Sequence, residues 1–544
     1  MDTLLPRPRS TETVPGAFSL AAGALVAGPA DLSGPVRLAL AVLDLARTED
    51  GTAPVRVVRD AGLGPEAYAV TVTEESVTIA AGDAAGAFYA GQTLRQLLPV
   101  DAFRAAPLPG TVWEIPCGRI TDAPALAWRG VHLDVSRHFL PKREVFRMID
   151  IMAVHKLNRL HLHLVDDQGW RVESPSFPLL HEISSHRPRT TTSYYNEPLQ
   201  YDDIPHGGFY TLTDLTEISA YARARAVTVV PEIDVPGHAS AILAAYPHLG
   251  SDPAEAHHVE DRWGIFPALL SPLPPTVDFL TTIFGEVMDA LGEVPYFHIG
   301  GDECVLDGWA AAPEIVAYQR DLGLDRPADL HAWFLRHLAD RLAERGSRAV
   351  VWDEAFVSGR LRQDTVIMPW RGMNVARRAA AAGHDVVLTP VFPLYFDYAE
   401  ASDSAEPLAI GDATTLADVA AFAPVPETWT PQERAQVVGA QFQLWSERIP
   451  DGRTLDYRAW PRGCAVAEIS WTGAPAHDLP ARLPAHLRRL DALGVEYRPL
   501  DGPRPWQRGG GWRAHRPGRV PVHDVMRGLE EATASADHVQ PTVS

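Results

Sequence analysis

Residues 298–304 read His298-Ile299-Gly300-Gly301-Asp302-Glu303-Cys304, and they place two adjacent carboxyl groups at the end of an apolar strand that begins at Val294. Adjacent residues of a strand point to opposite faces. We therefore expect Asp302 and Glu303 to have different chemical roles, rather than to flank one bond as an acid and a nucleophile about 5 Å apart. Acidic residues after a strand also cap helices, so a structural interpretation stays open on spacing alone.

Apolar strands alternate with amphipathic helices on both sides of this run. Residues 276–291 are typical of one buried helical face, and further helices are predicted at 141–157, 213–225, 329–345 and 375–382. Strands are predicted at 130–135, 159–165, 227–233, 296–300, 349–352, 366–370, 385–389 and 437–444. Eight strands in such alternation predict an α/β fold, a closed (β/α)8 barrel of the TIM type, with its active site at the C-terminal strand ends.

A unit with a different pattern precedes the barrel. Strands around Val70 and Ile79 are followed by a helix at 84–98, which indicates a small α+β domain. We predict an N-terminal domain at residues 1–121, the barrel at 122–500 and a C-terminal tail at 501–544. The tail is rich in Pro and Gly, and we expect it to be loosely packed with a helix near 525–533.

Composition limits the partners and the compartment. The chain has 48 basic and 69 acidic residues, a net charge of −21, which disfavours nucleic acid and anionic membranes and suits neutral ligands. Three scattered cysteines fit neither a disulfide framework nor a paired metal motif. The apolar segment 17–27 reads as structure rather than as a secretion signal, and no stretch has the roughly 20 apolar residues needed to span a bilayer. We expect a cytoplasmic protein.

Histidines mark the ends of two other predicted strands. The pair His161 and His163 is compatible with a metal site of the amidohydrolase type, but we find no matching Lys, His and Asp at later strand ends. After the third strand, His238 follows Asp234 and a Pro-Gly turn. This pair predicts a carboxylate-linked relay that tunes Glu303, although a structural role for the histidine stays open.

Aromatic residues follow strands five to eight, namely Trp352, Trp370, Tyr395 and Trp445. Pyranose rings have apolar C–H faces, which stack on aromatic side chains. Asp397 and Glu447 lie two residues beyond Tyr395 and Trp445 and could accept hydrogen bonds from hydroxyl groups. This combination at successive strand ends predicts a sugar pocket.

Several of these segments resemble glycoside hydrolase family 20, the β-N-acetylhexosaminidases. The resemblance is carried, in order, by residues 85–98, 128–139, 161–170, 231–238, 298–304, 394–397 and 443–447. It implies that Asp302 holds the acetamido group, that Glu303 is the acid/base and that Tyr395 donates a hydrogen bond to the acetamido oxygen. It also implies sugar contacts for Arg129, Asp166, His238, Trp352, Trp370, Asp397, Trp445 and Glu447. Arg129 starts the first strand, so its assignment rests on the resemblance alone.

The implied function is that of a retaining exo-β-N-acetylhexosaminidase, which removes terminal N-acetylglucosamine or N-acetylgalactosamine through an oxazolinium intermediate. The substrate would be a small carbohydrate or glycoconjugate, and no metal or organic cofactor is needed. One alternative is a relative that releases a disaccharide such as lacto-N-biose, with residues 184–210 shaping a longer pocket. The other alternative is a carbohydrate-binding protein without turnover.

Overall fold

The computed structural model describes residues 1–194, 197–518 and 520–534. Its largest element is a closed barrel of eight parallel strands, in which each strand pairs with its neighbours in sequence and the eighth pairs with the first. Barrel strands 1 to 8 are Trp128–Asp134, Arg159–His163, Thr228–Glu232, Tyr296–His298, Arg348–Trp352, Val366–Met368, Val386–Leu388 and Val437–Leu444. The predicted barrel is confirmed, and the observed strands start or end at most two residues from the predicted bounds.

Helices connect the strands, and capping residues define several helix starts. Thr211 and Thr415 each form a capping box with an aspartate three residues later. After strand 5, residues 353–365 form only the 3-10 helix Ala355–Ser358 in place of an α-helix. The α-helices around the barrel are Lys142–Val154, Leu179–Glu182, Leu212–Arg223, Ser240–Ala245, Pro274–Leu291, Asp307–Ala311, Pro313–Asp321, Pro327–Glu344, Met373–Ala381, Val391–Leu394, Leu416–Ala421, Pro431–Ala435, Gly452–Ala459, Arg462–Thr472 and Leu479–Leu493.

The N-terminal domain is a seven-stranded mixed sheet, covered by the helices Ala30–Ala39 and Ala84–Leu97. The second helix begins at Asp83, whose side chain accepts a hydrogen bond from the Gly86 amide. In sequence order the strands are Ser10–Ser19, Leu25–Ala27, Ala46–Thr48, Val55–Arg59, Tyr68–Val72, Val77–Ala81 and Glu114–Asp122. The predicted small α+β domain before the barrel is therefore confirmed.

Arg129 joins this domain to the bottom of the barrel. Its guanidinium is 1% exposed and donates to both carboxylate oxygens of Glu66, at 2.8 and 2.9 Å, and to the Lys156 carbonyl at 2.8 Å. Nearby, Lys156 Nζ lies 2.9 Å from Asp122 Oδ2. This position corrects the assignment of Arg129 to the sugar, because residue 129 lies near the N-terminal end of strand 1, opposite the end where barrel active sites lie.

The C-terminal tail is packed against the top of the barrel, which corrects the expectation of a loose tail. Asp412, in the loop after strand 7, accepts hydrogen bonds from the Gly518 amide at 2.8 Å and from the His515 ring at 3.2 Å. The final helix, Val522–Ala534, packs Val522 and Met526 into a cluster with residues of that loop. Residues 535–544 of the predicted tail lie outside the described residues. Within the described part of the chain, every helix is too short or too polar to cross a membrane.

Candidate active site

The Asp302–Glu303 pair lies in a tight turn beyond strand 4. Gly300, Gly301 and Glu303 all have positive φ angles, of 66°, 101° and 50°, a region that glycine enters without steric cost. A Cβ at Gly300 would lie 1.6 Å from Asp234 Oδ1, so only glycine fits there. The turn breaks the strand alternation, and the expected opposite orientation of the two carboxylates is wrong. His238 Nε2 lies 3.7 Å from Asp302 Oδ2 and 3.6 Å from Glu303 Oε2.

His238 connects this pair to a second pair of carboxylates. Its Nδ1 lies 3.1 Å from Asp166 Oδ1 and 3.2 Å from Asp167 Oδ2. Burial opposes a charge on the ring, but Asp166 and Asp234 outweigh burial and raise the pKa of His238 well above its usual value. Burial also raises the pKa of Glu303, although the positive His238 and Arg137 oppose the shift. His238 thus lies between carboxylates and the acid, but the carboxylates that contact its ring are Asp166 and Asp167 rather than the predicted Asp234.

Asp166 lies beneath the site rather than in its wall. Both of its oxygens are occupied, because Oδ1 faces His238 and accepts from the Asp167 amide at 2.7 Å, while Oδ2 faces Arg137 at 2.6 Å and His163 at 2.8 Å. The side chain is fully buried. We therefore correct the sequence-based role: Asp166 orients His238 and Arg137 and does not contact a sugar.

Arg137 is a site residue that the sequence reasoning missed. It lies just past the C-terminal end of strand 1, with its guanidinium 5.0 Å from the Trp445 ring centre and Nη1 3.4 Å from Asp134 Oδ2. The signal was available, since Arg137 is in the same segment as Arg129, residues 128–139, but at the strand end where barrel active sites lie.

Glu354 is a second missed residue, and it lies directly beside the acid. Its Oε2 accepts a hydrogen bond from the Glu303 amide at 3.0 Å. Burial raises the pKa of Glu354 to about 8, with Arg371 opposing and Asp302 and Glu303 reinforcing the shift. Glu354 follows Trp352 by two residues at the end of strand 5. Its position just after a predicted barrel strand was the one feature of the sequence that pointed to the active site.

The predicted aromatic residues form one wall of the mouth. The Trp352 and Trp445 rings lie 5.8 Å apart, and the Tyr395 ring lies 6.1 Å from Trp445. Trp370 packs partly buried against the same cluster. Burial raises the pKa of the Tyr395 hydroxyl well above its usual value, and a charge on Asp302 reinforces this shift. Burial and then Asp234 raise the pKa of Asp302 itself well above its usual value. The Tyr395 hydroxyl therefore keeps its proton and is a hydrogen-bond donor.

Several buried polar atoms at the mouth have no hydrogen-bond partner among the residues that the structure describes. Buried polar groups are normally paired in proteins, so a cluster of unpaired ones fits a ligand with many donors and acceptors. The cluster contains both Asp397 and Glu447, which the sequence had assigned to sugar hydroxyls. The atoms are Asp234 Oδ2, His238 Nε2, Asp302 Oδ1, Trp370 Nε1, Arg371 Nη2, Asp397 Oδ1 and Glu447 Oε2.

The histidine pair of strand 2 faces the interior of the barrel. His161 Nε2 lies 3.0 Å from Glu232 Oε2, and His163 Nδ1 makes a short contact with the same oxygen. The other nitrogen of His163 faces Asp166. Both nitrogens of His163 therefore face carboxylates, and Glu232 joins the two histidines in one buried cluster.

Comparisons with known proteins point to one family. The catalytic-domain model of glycosyl hydrolase family 20 matches residues 126–474, and the model of domain 2 of that family matches residues 2–123. A β-hexosaminidase of Porphyromonas gingivalis is 38% identical over 442 residues, which are 80% of this chain and 55% of that protein. A β-hexosaminidase of Akkermansia muciniphila is 34% identical over 418 residues, covering 75% of this chain and 80% of the relative.

A solved structure shares both domains. The exo-β-N-acetylglucosaminidase of Vibrio harveyi in complex with N-acetylglucosamine superposes with a TM-score of 0.79 at 32% identity, covering 91% of this chain and 78% of that chain. The two family models together span most of the sequence, including every motif from residue 128 to residue 447. This chain therefore belongs to glycoside hydrolase family 20.

Proposed function

We propose that this hydrolase is a retaining exo-β-N-acetylhexosaminidase that removes a terminal N-acetylhexosamine by substrate-assisted catalysis. The observation that carries the proposal is the buried Asp302 Oδ1, which has no hydrogen-bond partner among the described residues, at a mouth where Tyr395 packs with Trp352 and Trp445. An acetamido group has one N–H donor and one carbonyl acceptor, and this carboxylate and the Tyr395 hydroxyl are its complements. The names of the relatives, β-hexosaminidase and exo-β-N-acetylglucosaminidase, support the same activity.

In the first step, the acetamido oxygen of the substrate attacks C1 and the leaving-group oxygen takes a proton from Glu303. Asp302 orients the acetamido N–H and stabilises the positive charge of the oxazolinium ring that forms. Tyr395 donates a hydrogen bond to the acetamido oxygen. In the second step, Glu303 accepts a proton from water, the water oxygen bonds to C1, and the ring opens with retention.

The remaining residues hold one sugar ring. Trp352, Trp370 and Trp445 line the pocket and exclude water, while Asp397 and Glu447 accept hydrogen bonds from hydroxyl groups. Arg137 replaces Arg129 as the arginine that faces the sugar. Because the substrate supplies the nucleophile and Glu303 supplies the proton, the scheme requires no metal ion, and a chelator should leave the rate unchanged.

The test compares hydrolysis of a chromogenic β-N-acetylglucosaminide with that of the matching β-glucoside. The two substrates differ at C2, so a large preference for the acetamido sugar is expected if that group takes part in the reaction. Equal rates would contradict substrate assistance. Product analysis by mass spectrometry and proton NMR should show a monosaccharide that is first released as the β-anomer.

A release of disaccharides is a second candidate, favoured by one cavity. A space of about 300 Å³ lies next to Glu447, between the insertion residues Thr190 and Asp202 and the exposed tail residues Trp506 and Trp512. Its size is at the lower end for ligand pockets. Incubation with lacto-N-tetraose separates the two candidates, because a disaccharide product would support the second one and an unchanged tetrasaccharide would exclude it.

A further inference from the structure

Glu232 is a buried carboxylate to which the proposed reaction assigns no role. It ends barrel strand 3 and is fully buried inside the barrel. Its Oε1 accepts a hydrogen bond from Trp352 Nε1 at 2.9 Å and lies 2.8 Å from His298 Nδ1. Its Oε2 faces His161 and His163. A buried charge of this kind is costly unless several groups pair with it, and here the partners come from barrel strands 2, 4 and 5.

One of these partners leads directly to the acid. His163 has Glu232 on Nδ1 and Asp166 on Nε2. Carboxylate oxygens only accept hydrogen bonds from the ring, so both nitrogens carry protons and His163 is an imidazolium. Burial opposes this charge, but Glu232 and Asp166 outweigh it and raise the pKa of His163 well above its usual value. From Asp166 the chain of contacts continues through His238 to Glu303.

The other oxygen of Glu232 leads to the sugar wall. The indole N–H of Trp352 donates a hydrogen bond to Glu232, and the Trp352 ring lies 5.8 Å from the Trp445 ring. Trp352 is buried and packs against His298, and the hydrogen bond to the Glu232 carboxylate sets the orientation of its ring. Both parts of the site, the proton relay and the stacking wall, therefore meet at one side chain.

We propose that Glu232 is the positioning residue that couples the acid/base relay to the sugar-stacking wall. One carboxylate oxygen fixes Trp352, and the other anchors His163 and, through it, Asp166, His238 and Glu303. This inference rests on the proposed function, because it takes Glu303 as the acid. Glu232 does not touch the substrate, so it acts through its contacts with Trp352 and His163 and through the effect of its charge on Asp234 and Asp302.

The effect of Glu232 on proton transfer depends on all charged groups around the relay. Glu232 itself is faced by His132, His161, His163 and His298. The groups that act on Glu303 and its partner His238 are Arg137, Asp166, Asp167, Asp234, Asp302 and Glu354. Removal of the negative charge of Glu232 leaves the positive charge of His163 less compensated, because the contact with Asp166 keeps His163 protonated. The pKa of Glu303 should then fall.

The experiment compares Glu232→Gln with two variants that cut only one connection. Glu232→Gln should move the basic limb of the kcat/KM profile to lower pH by roughly half a unit and should also weaken binding of N-acetylglucosamine. His163→Gln removes the positive charge, so it should move the basic limb to higher pH; because the His163 ring also packs against Trp445, sugar affinity should fall, but less than in Trp352→Phe. Trp352→Phe removes the indole N–H. It should weaken sugar binding and leave the basic limb of the kcat/KM profile at the same pH.

Glu468→Gln is the matched control, because Glu468 is an equally buried carboxylate that pairs with Arg482 outside the barrel. It should change stability without changing the pH profile or the sugar affinity. The inference is overturned if Glu232→Gln is folded and unchanged in both readouts, or if Glu468→Gln changes them equally. If Glu232→Gln does not fold, the His163 and Trp352 variants decide: failure of the two predicted separate effects would overturn it.

Sugar binding is measured by calorimetry, which needs no turnover. If the wild-type enzyme shows no preference for the acetamido substrate, the proposed function fails. The Glu232 inference fails separately: it is wrong if the wild-type enzyme is active and the Glu232→Gln variant keeps the same pH profile and sugar affinity.

Discussion

His238 Nε2 lies 3.6 Å from Glu303 Oε2, while the opposite nitrogen of the ring faces Asp166 at 3.1 Å. The imidazole therefore lies between the acid and a second carboxylate. A histidine in this position controls both the orientation and the charge that Glu303 experiences. The first predictions follow from this contact and from the neighbouring Asp302.

Replacement of Glu303 by Gln should remove the proton donor and keep the shape of the side chain. We expect kcat for substrates with poor leaving groups to fall by roughly 10²-fold to 10⁴-fold, and kcat for activated aryl substrates to fall much less. Steady-state kinetics with a series of aryl glycosides measures this difference. An equal loss across the series would contradict the assignment of Glu303 as acid.

Replacement of Asp302 by Ala should damage the step in which the acetamido group attacks C1. Loss of a preorganised polar group at a developing charge typically costs about 3 kcal/mol in kcat, and binding of the product should change less. Kinetics and product inhibition, measured on the same preparation, separate the two effects. A variant that loses affinity but keeps kcat would show that Asp302 only binds the substrate.

The pH profile should respond to His238 with a defined sign. As the acid, Glu303 works only while protonated, so activity is lost as pH rises through its pKa, which burial raises. His238→Gln removes a positive charge that lowers the pKa of Glu303, so the basic limb should move to higher pH while kcat falls. The measurement is kcat/KM between pH 4 and 9. Movement of the limb to lower pH would contradict a protonated His238.

The two arginines of the first strand segment should behave differently. Arg129→Ala breaks a buried ion pair with Glu66, so we expect a loss of about 3 kcal/mol in the free energy of unfolding with KM unchanged. Arg137→Ala lies at the mouth and should raise KM. Urea denaturation and steady-state kinetics on both variants test this pair. A large rise in KM for Arg129→Ala would restore the sequence-based assignment.

Asp412→Ala should release the C-terminal tail from the loop that carries Tyr395 and Asp397. Asp412 accepts hydrogen bonds from Ser402, His515 and Gly518, and each lost bond to a charged group costs about 2 kcal/mol. Limited proteolysis should cleave the tail faster, and KM should rise because the loop is less constrained. The neighbouring Asp403→Ala is the control, since Asp403 is exposed and, among the described residues, its side chain accepts only from the Ala405 amide.

Arg129 and Arg137 show where sequence reasoning succeeded and where it stopped. The strand that contains Arg129 was predicted because its apolar residues follow a periodic pattern, and periodicity is a local property of the chain. Which of two nearby arginines faces the substrate depends on which end of the strand is open, and the barrel rule already favoured Arg137. The resemblance to the family pointed to the motif without identifying the correct arginine.

The Asp302–Glu303 turn shows a second limit. Alternation along a strand predicted opposite faces, but the positive φ angles of Gly300, Gly301 and Glu303 turn both carboxylates toward His238. Glycines signal such freedom without specifying the direction of the turn. Asp234 determines it here, since it occupies the space that any side chain at residue 300 would need.

The sequence by itself determined the eight-strand barrel, the domain before it and the strand ends that carry Asp302, Glu303, Tyr395 and Trp445, because periodicity and residue type act over short distances. Only the tertiary structure decided that His238 faces both carboxylates, that Arg129 belongs to the domain interface, and that the tail supports the active-site loop. These contacts join residues far apart in sequence. They depend on how the closed barrel brings its strand ends together, and no local sequence pattern encodes contacts between such distant residues.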